Sequence, residues 1–376
     1  MRVAIVTESF LPDVNGVAHS VQRVVEHLHE RGHTPLVIAP EPPEGPAPTL
    51  ADARTEVIRV PSVPMPGYPT FRIGLPSRRV EAALRRHAPD VVHLASPFAF
   101  AAYGAFVADR IGIPSVAVYQ TDIAGFASFY RLGVGRAAAW RWLRRVHSVV
   151  GRTLAPSSVA AENLSRHGIP RVHLWPRGVD SVRFHPQHRD EAFRRRHAPD
   201  GELLVGYIGR LAPEKSVELL EPVTRLDGVK VLVVGDGPAR RAAQRALPRA
   251  TFLGQLTGAE LAAAHASLDI FAHTGAHETF CQTVQEAMAS GVPVVAPAAG
   301  GPLDLVQPGR TGHLFAPGDA GALRTAVQSL TEHPGLRAAF GAAAREAVRG
   351  RTWTAIGDAL LDHYAVVTET DVARAA

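Results

Sequence analysis

Two carboxylates eight positions apart, Glu278 and Glu286, carry the strongest chemical signal in this 376-residue chain. Glu278 stands in a loop or at a helix start, and Glu286 falls a little over two helical turns later. An apolar strand at 269–274 precedes them, and a second strand at 293–296 follows Ala287-Met288-Ala289-Ser290-Gly291. In an open α/β sheet, ligands bind outside the carboxyl ends of the strands. A helix N-terminus there offers partial positive charge and unpaired N–H groups to a phosphate. A carboxylate beside it suits a polyhydroxyl ligand such as a sugar. Two solvated glutamates on an amphipathic helix would give the same spacing. A second group lies upstream, in Gly209-Arg210-Leu211-Ala212-Pro213-Glu214-Lys215. Arg210 and Lys215 are five apart across a loop that follows a strand, so both can converge on one anion. Arginine offers phosphate a planar fork and lysine a point charge. As an isolated pair they read better as solvated surface cations.

These groups need elements to hold them. Short β-rich runs alternate with helical stretches almost throughout, the pattern of parallel sheets with crossover helices. Strands are expected at 3–8, 35–39, 56–60, 91–95, 115–119, 153–155 and 172–175, then again at 203–208, 230–234, 251–253, 270–273 and 293–296. A helix at 17–31 should close at Gly32, a residue suited to the position after a helix end. The turn-rich segment 177–186 reads as a linker between two Rossmann-like domains, 1–180 and 187–350, and a final helix within 351–376 is expected to pack back on the first.

Composition narrows the classes. Hydrophobic residues make up 46% and charged residues 20%, as in a globular protein, and two domains suit the length. No apolar run reaches the roughly 18 residues of a membrane span, and Met1–Glu8 lacks a signal-peptide core. The lone cysteine, Cys281, excludes an internal disulfide and fits a reducing cytosol. No Cys/His cluster has zinc-like spacing, and there is no Asp-x-Asp to clamp a metal-bound nucleotide. The net charge of +5 comes with an excess of arginine, without any nucleic-acid-binding module. The first strand ends in Glu8-Ser9-Phe10-Leu11-Pro12-Asp13-Val14-Asn15-Gly16-Val17. One glycine there is not a G-x-G-x-x-G, so a dehydrogenase is disfavoured. Gly235-Asp236-Gly237 and Gly300-Gly301 are two further strand-end turns, and the second could offer N–H groups to an anion.

In order and spacing, Asn15-Gly16-Val17, Gly-Arg-Leu-x-x-x-Lys at 209–215, the Glu-x7-Glu pair and Ala-Ser-Gly-x-Pro-Val at 289–294 resemble the retaining GT-B glycosyltransferases of family 4. The resemblance runs nearly end to end. It implies an α/β fold of two Rossmann-like domains facing across a cleft, with an acceptor domain first and a nucleotide-sugar donor domain second. Arg210 and Lys215 would hold the donor diphosphate and stabilise the leaving group. Glu278 would bind donor-sugar hydroxyls and Glu286 the ribose. Backbone N–H groups at Phe280, Cys281 and Gln282 would face the donor, Gly16 would touch the diphosphate, and Leu253 and Gly254 would lie near the base. Two positions depart from the family. Cys281 stands where Glu-x-Phe-Gly is usual. Gln120, in Tyr119-Gln120-Thr121-Asp122, replaces a histidine and cannot carry a proton, which leaves Asp122 as the nearest titratable candidate for catalysis.

The implied reaction moves a hexose with retention, the leaving phosphate itself taking the acceptor proton, and needs no metal. The same segments look like those of actinobacterial GDP-mannose-dependent mannosyltransferases that act on phosphatidylinositol or glycolipids. GDP-mannose and a lipid-linked hydroxyl are therefore the expected substrates. Alternatives are a UDP-sugar donor with a small acceptor, a non-catalytic sugar-nucleotide binder, or an epimerase. Arg72, Arg78, Arg79, Arg85 and Arg86, with Phe71, Ile73, Leu75, Val80 and Leu84 among them, suggest contact with anionic lipid, as does the aromatic and basic stretch 129–145. The expected location is cytoplasmic, peripheral on the inner face of the plasma membrane.

Overall fold

The computed structural model describes residues 1–13, 15–42, 54–65, 68–121 and 135–375, so Asp122 and the segment to 134 lie outside the described residues. The chain forms two compact units, Met1–Arg177 with Trp353–Ala376, and Gly178–Thr352.

The first unit is built on a parallel sheet of seven strands in the order β3-β2-β1-β6-β7-β8-β9. These are β1 (Arg2–Thr7), β2 (Thr34–Pro40), β3 (Glu56–Val60), β6 (Val91–Ala95), β7 (Ser115–Val118), β8 (Arg152–Ala155) and β9 (Val172–Leu174). β4 (Ser62–Met65) and β5 (Tyr68–Gly74) form a separate antiparallel hairpin. Val3 to Val6 are wholly buried, as expected for a strand covered by helices on both faces. Helix Gly16–Glu30 begins where Asn15 accepts from the Val17 and Ala18 N–H groups, and ends before Gly32 at φ +72°.

The second unit repeats the plan with six parallel strands in the order β12-β11-β10-β13-β14-β15. They are β10 (Leu203–Ile208), β11 (Val229–Val234), β12 (Thr251–Gly254), β13 (Ile270–Ala272), β14 (Val294–Pro297) and β15 (Gly312–Phe315). In each sheet the connections reverse direction beside the first strand, between β1 and β6 and between β10 and β13. Such a switch point leaves a crevice at the strand carboxyl ends. The final helix, Trp353–Ala375, lies on the first sheet. Tyr364 hydroxyl meets His93 Nδ1 at 2.7 Å, and Trp175 Nε1 donates to the Ile356 carbonyl at 2.9 Å.

The basic amphipathic segment has a packing explanation. In helix Arg78–His87, Val80, Ala83 and Leu84 are buried in the core of the first unit, so its apolar face is already covered. Arg85 pairs with Glu81 at 2.9 Å and Arg86 pairs with Glu56, while Arg72 donates to Ser62. Arg79 lies 3.7 Å from Glu41. In helix Arg136–Ser148, Trp140 and Leu143 are buried, but Trp142 is 39% exposed, with exposed Arg141, Arg144 and Arg145 around it. Among the described residues, no helix is long and apolar enough to cross a membrane.

Candidate active site

The switch point of the second sheet gathers the charged side chains. The loop after β10 carries Arg210, Glu214 and Lys215, and the loop after β13 carries His273 and Glu278. Lys215 Nζ donates to Glu278 Oε1 at 2.5 Å, and His273 Nε2 lies 3.1 Å from the same oxygen. Lys215 and Glu278 are largely buried and His273 is fully so. Burial alone would raise the Glu278 carboxyl, but Lys215 and His273 outweigh it and hold the group well below the usual carboxylate range. Burial likewise opposes charge on His273, yet Cys281 and Glu278 raise it to about 10. The carboxylate is therefore ionised and clamped between two cations. Beneath them the Tyr207 ring stacks on His273, with centroids 6.0 Å apart and planes at 11°. Thr274 hydroxyl donates to the Lys215 carbonyl at 2.6 Å and fixes the backbone under the ammonium.

Glycines set how closely the site loops approach their neighbours. A Cβ at Gly235 would lie 1.9 Å from the Gly209 carbonyl oxygen, and one at Gly237 2.3 Å from that of Leu211. A Cβ at Gly301 would lie 1.9 Å from the Phe280 oxygen, and one at Gly300 2.3 Å from that of Glu278. The Gly301 N–H donates to the Glu278 carbonyl at 2.8 Å, so it serves the loop and is not offered to an anion. Each loop that carries site residues is thus held by glycines following the neighbouring strand.

The other expected residues fall as follows. Arg210 pairs with Glu214, and Tyr207 hydroxyl donates to the Arg210 carbonyl at 3.1 Å. Phe280 is buried in the core, which leaves its backbone as the part able to meet a ligand. Cys281 is buried and precedes helix Gln282–Ala289 at φ 78°, ψ 70°, a left-handed conformation that glycine adopts more easily. Gln282 Nε2 donates to the Gly178 carbonyl at 3.0 Å. Glu286, on that helix, is buried with its Oε2 3.6 Å from His265 Nε2. Leu253 and Gly254 close β12, and Gly254 has φ +77°.

At the switch point of the first sheet, Gly16 opens its helix without positive φ, and a Cβ there would meet nothing nearer than Arg177 at 3.8 Å. Protein packing therefore does not explain a glycine at 16. Arg177 is buried, donates to the Gly16 carbonyl at 2.8 Å and bonds the Gln120 side-chain oxygen.

Residues 14–183 match the family described as Glycosyltransferase Family 4, and residues 188–347 match Glycosyl transferases group 1. The chain is 53% identical to the GDP-mannose-dependent alpha-mannosyltransferase of Mycolicibacterium smegmatis, over 100% of both chains. It is 50% identical to the protein of the same name from Mycobacterium tuberculosis, over 100% of this chain and 99% of that one. The chain belongs to glycosyltransferase family 4. Its fold matches that of Anabaena HepE, solved in complex with UDP, with a TM-score of 0.77 at 19% identity over 97% of this chain and 100% of that one. The two parallel-sheet units are those of a GT-B hexosyltransferase.

Three side chains of this family 4 glycosyltransferase escaped the sequence reading. The sequence puts His273 at the end of a strand; the strand instead ends at Ala272, and the imidazole lies beside Glu278. His265 backs Glu286 from helix Gly258–Ser267, where a histidine on a helix carries no distinguishing signal. Glu8, just past β1, is buried, and its Oε1 accepts from the N–H groups of Phe98, Ala99 and Ala101 at 3.1, 2.7 and 2.9 Å. An acid directly after a buried strand was the available clue.

Proposed function

We propose that this chain transfers mannose from GDP-mannose to an acceptor hydroxyl, using the site at the ends of β10 and β13. The observation that carries this reading is the buried Lys215–Glu278–His273 cluster at a switch point, in a chain half identical to full-length proteins named for that donor. Arg210 and Lys215 meet the diphosphate and offset the charge that develops as the glycosidic bond breaks. Preorganised charge of this kind commonly supplies the largest share of catalysis. Glu278, ionised and held in place, accepts hydrogen bonds from mannose hydroxyls. Glu286 takes the ribose, oriented by His265. The N–H groups from Phe280 to Gln282 face the donor, and Leu253 and Gly254 border the base. With no Asp-x-Asp in the sequence, these groups are sufficient without a metal.

Transfer proceeds with retention. The leaving phosphate takes the acceptor proton, so neither Glu278 nor Asp122 forms a bond to the sugar. A mannosyl adduct on either residue, found by mass spectrometry of a trapped reaction, would overturn that step. The acceptor is a lipid-linked or glycolipid hydroxyl, reached while the protein rests on anionic lipid. Support comes from exposed Trp142 among Arg141, Arg144 and Arg145, since each cation near such a surface contributes about 1 kcal/mol. Sedimentation with anionic liposomes at low salt tests this, and failure to bind removes it.

The donor is tested by thermal unfolding with GDP, UDP and ADP. A ligand at about 100 times its Kd stabilises the fold by about 2.7 kcal/mol. GDP should give the largest shift, and GDP-mannose should then support transfer. A larger shift with UDP would reassign the donor.

A further inference from the structure

Cys281 stands at a left-handed position and touches the ionised cluster, and the donor reading uses only its backbone. His273, Glu278 and Cys281 each offer one metal-binding atom, and the three atoms lie within 4.8 Å of one another. We propose that these side chains form a capture site for a thiophilic divalent cation of the zinc class, and that capture inhibits the enzyme by taking Glu278 from Lys215.

The donor set is the first argument. One thiolate, one neutral imidazole and one carboxylate suit zinc, so capture releases the protons of Cys281 and His273 to solvent, whereas magnesium and calcium take oxygen ligands. Geometry is the second. Zinc bonds of about 2.0 Å to nitrogen and oxygen and about 2.3 Å to sulfur put tetrahedral ligands roughly 3.3 to 3.6 Å apart. His273 Nε2 and Glu278 Oε1 already stand 3.1 Å apart, so the remaining adjustment falls on the cysteine side chain. Preorganisation is the third. The stacked Tyr207 ring holds the imidazole plane, the glycine-backed loop holds Glu278, and both His273 and Cys281 are buried. Orientation of this kind from outside the ligand set raises metal affinity. Three protein ligands leave a fourth position for water.

Lys215 makes the site inhibitory. Its ammonium is 2.5 Å from the oxygen that the cation needs, and a divalent cation bound there competes with the ammonium for that oxygen and repels it. Binding therefore displaces Lys215 and occupies the carboxylate assigned to the sugar. The inhibitory consequence rests on the donor reading, whereas the binding site does not.

The full chain, reduced and freed of metal, should be titrated with cobalt(II) as a spectroscopic probe. One equivalent should bind with thiolate-to-cobalt charge-transfer absorption, and zinc should bleach it. Cys281→Gly, whose backbone suits glycine, should lose that absorption while its circular dichroism and cooperative melting persist. Glu278→Gln should keep the thiolate band and weaken binding at least tenfold. No band in the wild type, or a band that survives Cys281→Gly, overturns the site. Zinc should also suppress mannosyl transfer by the wild type and act at least tenfold more weakly on Cys281→Gly, each measured against its own metal-free rate. A thiolate band with transfer indifferent to zinc overturns the inhibitory role. Failure of GDP-mannose to support any transfer would instead count against the donor reading and leave the cobalt result standing.

Discussion

Removing the Glu278 carboxylate leaves the Lys215 ammonium without its partner in a largely buried site. Breaking one partner of a buried pair costs about 3–5 kcal/mol, so Glu278→Gln should unfold at clearly lower urea concentration than the wild type. Lys215→Met combined with Glu278→Gln should recover part of that loss, because neither buried charge is then left facing the other's absence. A double mutant as unstable as the sum of the singles would show that the pair is not coupled. For catalysis, Lys215→Ala should lower turnover at saturating GDP-mannose by more than about tenfold, as expected when a preorganised charge at the leaving group is lost. An unchanged rate would mean that the diphosphate lies elsewhere. The sequence singles out both residues as candidate ligand contacts. Their mutual pairing was not, since they lie 63 positions apart and only the switch point joins them.

At the scale of elements, helix Phe100–Arg110 has no side-chain cap of its own at Ala99. Glu8 supplies it from the far side of the sheet switch. Glu8→Ala should cost about 0.5–2 kcal/mol, the usual range for a lost cap. Burial raises the Glu8 carboxyl against the backbone bonds that lower it. A group raised on folding adds stability that is complete below its unfolded value, near 4.5, and lost as pH rises through its folded one. The urea midpoint of the wild type should therefore fall relative to that of Glu8→Gln as pH is raised from 4.5. A constant difference between the two proteins would contradict this. Gly301→Ala places a methyl against the Phe280 carbonyl, so the Glu278 loop must shift. GDP affinity should drop more than tenfold while the first unit keeps its protease resistance. The strands covered on both faces were readable because they are short Val- and Ile-rich runs. β15, Gly-His-Leu-Phe, has no β-branched residue, and the hairpin strands each contain a proline, so neither announced itself. For helix Arg78–His87 the sequence does not say what covers the apolar stripe, which looks the same under lipid or under a neighbouring sheet; Val80, Ala83 and Leu84 are buried in the first unit.

For the molecule as a whole, Trp353–Ala375 completes the unit that Met1 begins. Its Tyr364 closes over His93 in the centre of the first sheet, and burial lowers that imidazole to about 3, so it remains neutral in the folded state. Deleting 353–376 should expose this core and leave the first unit open to protease, while Gly178–Thr352 resists digestion. Equal resistance of both units in the deleted protein would show the helix to be dispensable. The interleaved connectivity also sets an order of events during synthesis. The second unit leaves the ribosome entire and can reach its final form at once. The first unit, although its sheet emerges earliest, has to wait for the last segment of the chain. During that interval the first unit carries a sheet face that helix Gly16–Glu30 covers only in part, and this is the stage at which a chaperone would have most to do.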